Sequence, residues 1–213
     1  YMTAKEEDIL TSQNLIKKGV VLDKLFDSLI VSKGVKQSDL IIGDKNAVMM
    51  AARVLAYGAE YQATVEGPDG PIETTFDLTK VNYKPLPKDV KYDGNEFTLE
   101  LPASKVKVTF KLLNGNDEAN INRDLAAINK TGSSADITTR LRYMIIAVDG
   151  KNDKKIISTF VNNMLSQDSL ALRRYYTEVS PDIDLTQEVE VGGEVVKVDI
   201  PMTPRFFWPD SNL

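Results

Sequence analysis

Glu60-Tyr61-Gln62-Ala63-Thr64-Val65-Glu66-Gly67-Pro68-Asp69-Gly70-Pro71-Ile72-Glu73-Thr74-Thr75-Phe76-Asp77-Leu78 is the stretch that decides the fold class. Apolar and polar residues alternate over residues 60–65 and again over 72–78, the period of a half-buried strand. Pro68-Asp69-Gly70 supplies turn chemistry between them, so the segment predicts a β-hairpin. On its N-terminal side the period is different. Leu15, Ile16, Val20, Leu22, Leu25, Phe26, Leu29 and Ile30 recur at threes and fours, the stripe of an amphipathic helix interrupted or weakened at Gly19. After Gly34, Ser38 or Asp39 can cap a short turn through Leu40 to Ile42. The run 47–57 is Ala-rich and free of Pro, which predicts a buried helix stopped by Gly58.

Beyond the hairpin, residues 97–101 and 106–112 repeat the period of two, with Pro102 and Ser104 as the turn between them. Residues 83–93, with Pro85, Pro87 and many charges, read as a loop or an edge excursion. Helical signals return over 120–128. Asp136 or Thr138 can cap a segment reaching Val148, and Asp149-Gly150 ends it. Asp153 caps a helix through Met164, with Ile156, Ile157, Phe160, Val161 and Met164 on one face. Asp168 or Ser169 begins another, through Tyr176, before Pro181. Finally, residues 189–191 and 195–198 flank Gly192-Gly193, a two-residue hairpin turn by composition. A short β segment after a long helical one is expected to return to the earlier strands. The expected class is therefore α+β, a helical body with a small antiparallel β module built from two sequence-separated segments. The expected division is 1–58 helical, 59–112 β hairpins joined by 186–205, 113–185 helical, and 206–213 an aromatic tail.

A length of 213 residues with 42% apolar and 27% charged side chains is that of a globular chain with room for a real core. Cys 0 and His 0 are the informative entries in the composition. They exclude a Cys or His metal ligand, a thiolate nucleophile, an imidazole base and a disulfide. With Lys+Arg 26 against Asp+Glu 31, the net charge of −5 gives no general attraction to phosphate backbones or anionic lipid, so no nucleic-acid partner is expected. No window approaches the roughly 20 apolar residues of a membrane span. The acidic start, Tyr1-Met2-Thr3-Ala4-Lys5-Glu6-Glu7-Asp8, is unlike a signal peptide and predicts a cytoplasmic product. Met2 behind Tyr1 points to a tag remnant or a trimmed start.

Carboxylate pairs are the acid/base machinery left, and glycoside hydrolysis needs two of them about 5 to 10 Å apart. With 31 acidic residues, no motif selects a pair. Asn114-Gly115-Asn116-Asp117-Glu118 has the oxygen-rich look of a calcium loop without its spacing, and reads as a polar turn before a helix. There is no glycine-rich phosphate cradle. Arg140, Arg142, Arg173 and Arg174 are expected on exposed helix faces or paired with acids. Phe206-Phe207-Trp208-Pro209 differs from all of these, because three consecutive aromatics are costly to leave wet. Either they dock on the core or they anchor a partner, which makes Phe206, Phe207 and Trp208 the candidate partner-binding residues.

Several blocks, in order, resemble one family: residues 40–47, Leu-Ile-Ile-Gly-Asp-Lys-Asn-Ala; Ala51-Ala52-Arg53; Tyr57-Gly58-Ala59-Glu60-Tyr61; Phe76-Asp77-Leu78; residues 107–113, Lys-Val-Thr-Phe-Lys-Leu-Leu; Phe160-Val161-Asn162-Asn163-Met164; Asp168-Ser169; and Pro201 through Phe206-Phe207-Trp208-Pro209. Together they resemble the T-even-type phage baseplate protein family of contractile-tailed phages. The resemblance covers residues 15–210 and includes a helix, hairpin, helix, return-hairpin layout. It implies a pair of Cys-x-x-Cys-Gly knuckles, one in each hairpin turn, arranged like a zinc ribbon. In this chain the knuckle positions are Glu66 and Asp69, and Val189 and Gly192. Two carboxylates, a Val and a Gly cannot make tetrahedral zinc coordination, so no metal or other cofactor is expected. The resemblance also implies that the turn 67–70 lies beside Gly192-Gly193. The function it implies is that of a non-enzymatic, late-expressed hub protein of the baseplate, structural or acting in virion assembly. Its partners would be other phage tail and baseplate proteins or a second copy of the chain, and its place the virion and, during assembly, the host cytoplasm. The alternatives are an assembly chaperone or adaptor absent from the finished virion, and a carboxylate-dependent hydrolase.

Overall fold

The computed structural model describes residues 2–67, 70–92, 94–130, 134–191, 194–201 and 206–207. In chain order the first elements are α1 (Ala4–Thr11), α2 (Gln13–Lys17), α3 (Val21–Leu29), α4 (Ile42–Tyr57), β1 (Glu60–Gly67), β2 (Gly70–Asp77) and β3 (Asn82–Tyr83). Next come β4 (Phe97–Glu100), β5 (Lys107–Phe110), α5 (Gly115–Asn129), α6 (Asp136–Met144), β6 (Ile145–Val148), α7 (Lys154–Asn162) and α8 (Ser166–Val179). The chain then forms β7 (Ile183–Asp184), β8 (Thr186–Val191) and β9 (Glu194–Asp199). The class is α+β, with helices beside small antiparallel sheets.

Two compact units divide the chain. Unit 1 takes Tyr1–Gln37, Gly43–Lys84 and Pro181–Leu213, and unit 2 takes Ser38–Ile42 and Pro85–Ser180. In unit 1, β1 and β2 pair from Glu60↔Asp77 to Gly67↔Gly70, leaving two residues between the strands. β8 and β9 pair from Thr186↔Asp199 to Val191↔Glu194, again with two residues between. Tyr61 and Val65 on β1 and Val189 on β8 are buried, while Gln62, Thr64, Glu66, Glu188 and Glu190 are exposed, the alternation that a single covered face demands. The unit 1 core joins these residues to Leu10, Leu25, Met50, Phe76, Leu78, Ile200, Phe206 and Phe207.

Local chemistry sets the helices of unit 1. Glu6 accepts from the Thr3 N–H at 2.8 Å and the Thr3 hydroxyl at 2.6 Å, bracing the start of α1, and it also accepts from Ser28 near the end of α3. Those donors, Ser28 foremost and then Thr3, hold the Glu6 carboxyl down at about 2 against the opposing effect of burial. The expected helix from Leu15 to Val31 is broken into α2 and α3 at Gly19, whose φ of 68° suits glycine. Gly43 in the first turn of α4 has another reason. A Cβ placed there would stand 1.9 Å from the Pro181 carbonyl oxygen, so only glycine permits this backbone approach. Asn46 one turn later fixes the same contact by donating to the Asp182 carboxylate at 3.0 Å.

Unit 2 is built on the sheet β4-β5-β6, antiparallel throughout. Its core gathers Phe97, Leu101, Val108, Phe110, Ile121, Leu125, Leu141, Met144, Ile145, Ile157, Val161, Leu172 and Val179. Asn114 caps α5 by accepting from the Asp117 N–H at 3.0 Å, and Asp117 returns the bond to the Asn114 N–H at 3.2 Å. The segment 114–118 is thus a helix cap, as its polar-turn reading had it. Asp153 caps α7 as expected, accepting from the Lys155 and Ile156 N–H groups. Asp168 lies in the first turn of α8, but its carboxylate is spent elsewhere. It accepts from the Ala103 N–H at 2.8 Å and the Ser104 N–H at 3.0 Å, clamping the β4–β5 turn where Lys105 takes a φ of 60°. Burial pushes this carboxyl up, yet the bonds from Ala103 and Ser104 outweigh it and the net shift is downward.

Three expectations are corrected by this architecture. The hairpins of 59–112 do not form one module: β1 and β2 stay in unit 1 with β8 and β9, whereas β4 and β5 pair with β6 in unit 2. The reason is that Val108 and Phe110 of β5 are fully buried in the unit 2 core and the free edge of β5 is filled by Ile145–Val148. The helix expected to reach Val148 therefore stops at Met144, because the run Ile145-Ile146-Ala147-Val148 suits a paired strand better than another helical turn. The helical stretch 113–185 accordingly contains β6 and ends in β7, which pairs with β3 in unit 1.

Candidate functional site

The described residues among the knuckle positions and the aromatic segment fall in unit 1. Glu66 is exposed on β1 opposite Pro71, and Val189 is buried at 8% exposure in the hydrophobic core, a packing residue rather than a ligand position. Asp69 and Gly192 lie outside the described residues, as do Gly193 and Trp208. Among the described residues no cluster of three or more His, Cys, Asp or Glu is placed to hold a metal ion. At the opposite end of the hairpins from the expected knuckles, the Gln187 amide donates to the Asp77 carbonyl at 2.7 Å, joining the end of β2 to the start of β8.

Phe206 and Phe207 are at 0% and 5% exposure in the unit 1 core. Phe206 meets Tyr61 edge-on at 5.1 Å between ring centroids and Phe207 at 5.1 Å. The Tyr61 hydroxyl donates to the Pro201 carbonyl at 2.8 Å and ties down the chain that leads to them. Of the two readings of this segment, the described structure has the docked one for Phe206 and Phe207. Their rings are covered by their own unit and have no face left for a partner.

Close by, Arg53 is buried on α4 with its guanidinium donating to the carbonyls of Gly58 at 3.0 Å and Glu60 at 3.2 Å. It lies over the rings of Tyr57 and Tyr61, at 5.2 and 5.8 Å. Burial lowers its affinity for the proton, and the carbonyls of Gly58, just past α4, and of Glu60, at the start of β1, compensate the charge. This is a device that joins α4 to β1.

Unit 2 holds a described cavity with mixed chemistry. It is an open groove of about 320 Å³ between α5 and α6, lined by Asp124, Ala127, Ile128, Thr139, Arg142 and Tyr143. Each helix contributes at i, i+3 and i+4, so the wall is formed by one stripe from each. The Tyr143 hydroxyl donates to Asp124 at 2.7 Å, and this bond first, then burial, raises the phenol's pKa. Tyr143 is therefore a neutral donor at physiological pH. Arg123 stands beside Asp124 at 3.6 Å. Arg142 donates to the Asn162 side-chain oxygen on α7 at 2.7 Å, while its Nε and the Thr139 hydroxyl are buried with no hydrogen-bond partner.

Comparison with protein-family models, with characterised proteins and with solved structures finds no match to this chain. The geometry therefore speaks alone. Sequence reasoning expected the arginines on exposed faces or paired with acids. Arg140 meets that expectation, pairing with Glu118 at 2.7 Å, but Arg142 takes an amide instead. Asp124, Thr139 and Tyr143 were not singled out at all. Their one signal is the matched i, i+3, i+4 spacing on two helices, which becomes meaningful only once α5 and α6 are known to face each other.

Proposed function

We propose that the chain is a non-enzymatic component that works through protein–protein contacts, in the manner of a baseplate hub protein of a contractile-tailed phage. The observation that carries the contact-forming role is the pair of isolated hairpins in unit 1. β1–β2 and β8–β9 are each two-stranded, and among the described residues no backbone hydrogen bond joins their outer edges to another strand. An unpaired edge is a ready template for a strand of another chain. Val195 on β9, at 68% exposure, adds apolar surface on the same hairpin. The baseplate setting rests on the resemblance of the sequence blocks. In this reading the partners are other tail proteins and the chain resides in the particle, with the cytoplasm as its place of assembly. The test is mass spectrometry of purified particles of the encoding phage. Peptides of this chain at a fixed ratio to known tail proteins support a structural subunit, and their confinement to assembly intermediates supports the chaperone alternative.

A further inference from the structure

We propose that β9 is the edge through which unit 1 pairs with a second copy of the chain, antiparallel and about a two-fold axis beside Val198. The proposal deepens the contact-forming reading above and rests on its unpaired hairpin edge. Register fixes which backbone groups are free. The Ile200 N–H donates to the Leu185 carbonyl at 2.9 Å, so the pairs in step with it, Val198↔Gln187 and Val196↔Val189, are the ones that exchange bonds with β8. The N–H and C=O groups of Val195, Lys197 and Asp199 therefore turn outward, and among the described residues none of them has a backbone partner. Their exposed side chains alternate with those of Val196 and Val198, which are half-buried against the unit 1 core.

The charges on this edge select the occupant. With the axis at Val198, Lys197 stands opposite Asp199 of the second copy, and Asp199 opposite its Lys197. Each of these pairs exchanges two backbone hydrogen bonds, and each sets opposite charges across the new strand boundary. Moving the axis by one residue, to Lys197 or to Asp199, brings two lysines or two aspartates face to face, so the register is specified. On the other face Val198 meets Val198 of the second copy at the close, non-hydrogen-bonded position. Both charged side chains are already held at the edge from β8, Lys197 by Glu188 at 3.7 Å and Asp199 by the Thr186 hydroxyl, which donates at 2.9 Å. Neither is covered, since the Lys197 side chain keeps 73% exposure. A foreign strand of uniform charge would satisfy one of the two and repel the other, whereas β9 itself carries the alternating pair that its own edge requires.

Sedimentation equilibrium of the full chain, from micromolar to millimolar concentration, tests the proposal. The parent is expected to dimerise reversibly. Lys197→Glu and Asp199→Lys each oppose like charges in this register and are expected to weaken self-association at least about tenfold. In an equimolar mixture of the two variants every charged position again faces its opposite, and a mixed dimer of about the parent's affinity is expected. Amide exchange gives a second reading that needs no variant. The Lys197 and Asp199 N–H groups are expected to become protected as the parent dimerises, while that of Val198, already bonded within the hairpin, is unchanged. A parent that stays monomeric throughout the range, a dimer that both variants form as tightly as the parent, a mixture without the mixed dimer, or a dimer that leaves the Lys197 and Asp199 amides unprotected overturns the proposal. Those results leave the hub reading to the composition of the tail particle. A chain that dimerises through β9 but is absent from tail particles upholds the proposal and removes the hub setting alone.

Discussion

Replacing Phe206 by alanine tests whether the aromatic segment belongs to the core of unit 1. The ring is at 0% exposure and stands edge-on to Tyr61 and Phe207. Deleting a buried aromatic ring costs ~3–5 kcal/mol through lost transfer energy and the cavity left behind. The two edge-on pairs account for part of that, at ~0.5–1.5 kcal/mol each. Against a domain stability of ~5–15 kcal/mol, this is a large fraction of the whole. With a urea slope of ~2 kcal/mol per molar, a loss of about 4 kcal/mol lowers the unfolding midpoint by ~2 M. Hydrogen exchange locates the effect, because amides of β1, β2 and β8 report on the core that Phe206 fills, while β5 reports on the other. Val195→Ala, at an exposed site on β9, serves as the control and is expected within ~0.5 kcal/mol of the parent. A Phe206→Ala protein with the parent midpoint and unchanged exchange in β1 and β8 would refute the docked arrangement.

Three further outcomes are expected. Gly43→Ala places a Cβ against the Pro181 carbonyl and is expected to cost at least the ~1–3 kcal/mol of ordinary overpacking, measured as a fall in the denaturant midpoint. Asp168→Asn sets an amide donor against one of the Ala103 and Ser104 N–H groups and is expected to cost ~1–3 kcal/mol at neutral pH. Because the folded carboxyl lies below its ordinary 3.8, its stabilisation is present above that value and lost as pH falls through the folded one, so parent and variant converge in acid. Glu6 behaves alike over a wider window: its contribution is present above 4.5 and disappears as pH falls toward about 2, and Glu6→Gln is expected to flatten the acid limb of the stability profile.

The parts of the fold that sequence reasoning reached are those whose signal is local. The β1–β2 and β8–β9 hairpins carry alternation plus turn residues, and the Asn114 and Asp153 caps carry an acceptor at the right offset from a helical run. The return of the chain end to the first hairpin was also legible, because isolated hairpins need a common core. The parts it missed depend on partners far along the chain. Residues 145–148 are apolar on every face and satisfy a buried helix or a buried strand equally, and the edge of β5 decides between them. Asp168 sits where a helix-starting acid belongs, so its clamp on residues 103 and 104 leaves no local trace. Nothing in the spacing of residues 206 and 207 distinguished a docked tail from an anchor, since both require the same aromatics. The α5/α6 groove was invisible for a similar reason, because each stripe alone is an ordinary helix surface.

The measurement that bears most directly on the proposed role is cross-linking mass spectrometry on the purified tail particles, and their assembly intermediates, in which that proposal places the chain. The account expects cross-links from Lys197 on β9, and from other lysines of unit 1, to a second tail protein or another copy of the chain. Recovery of the chain as a free monomer from both preparations, without any such cross-link, would contradict it.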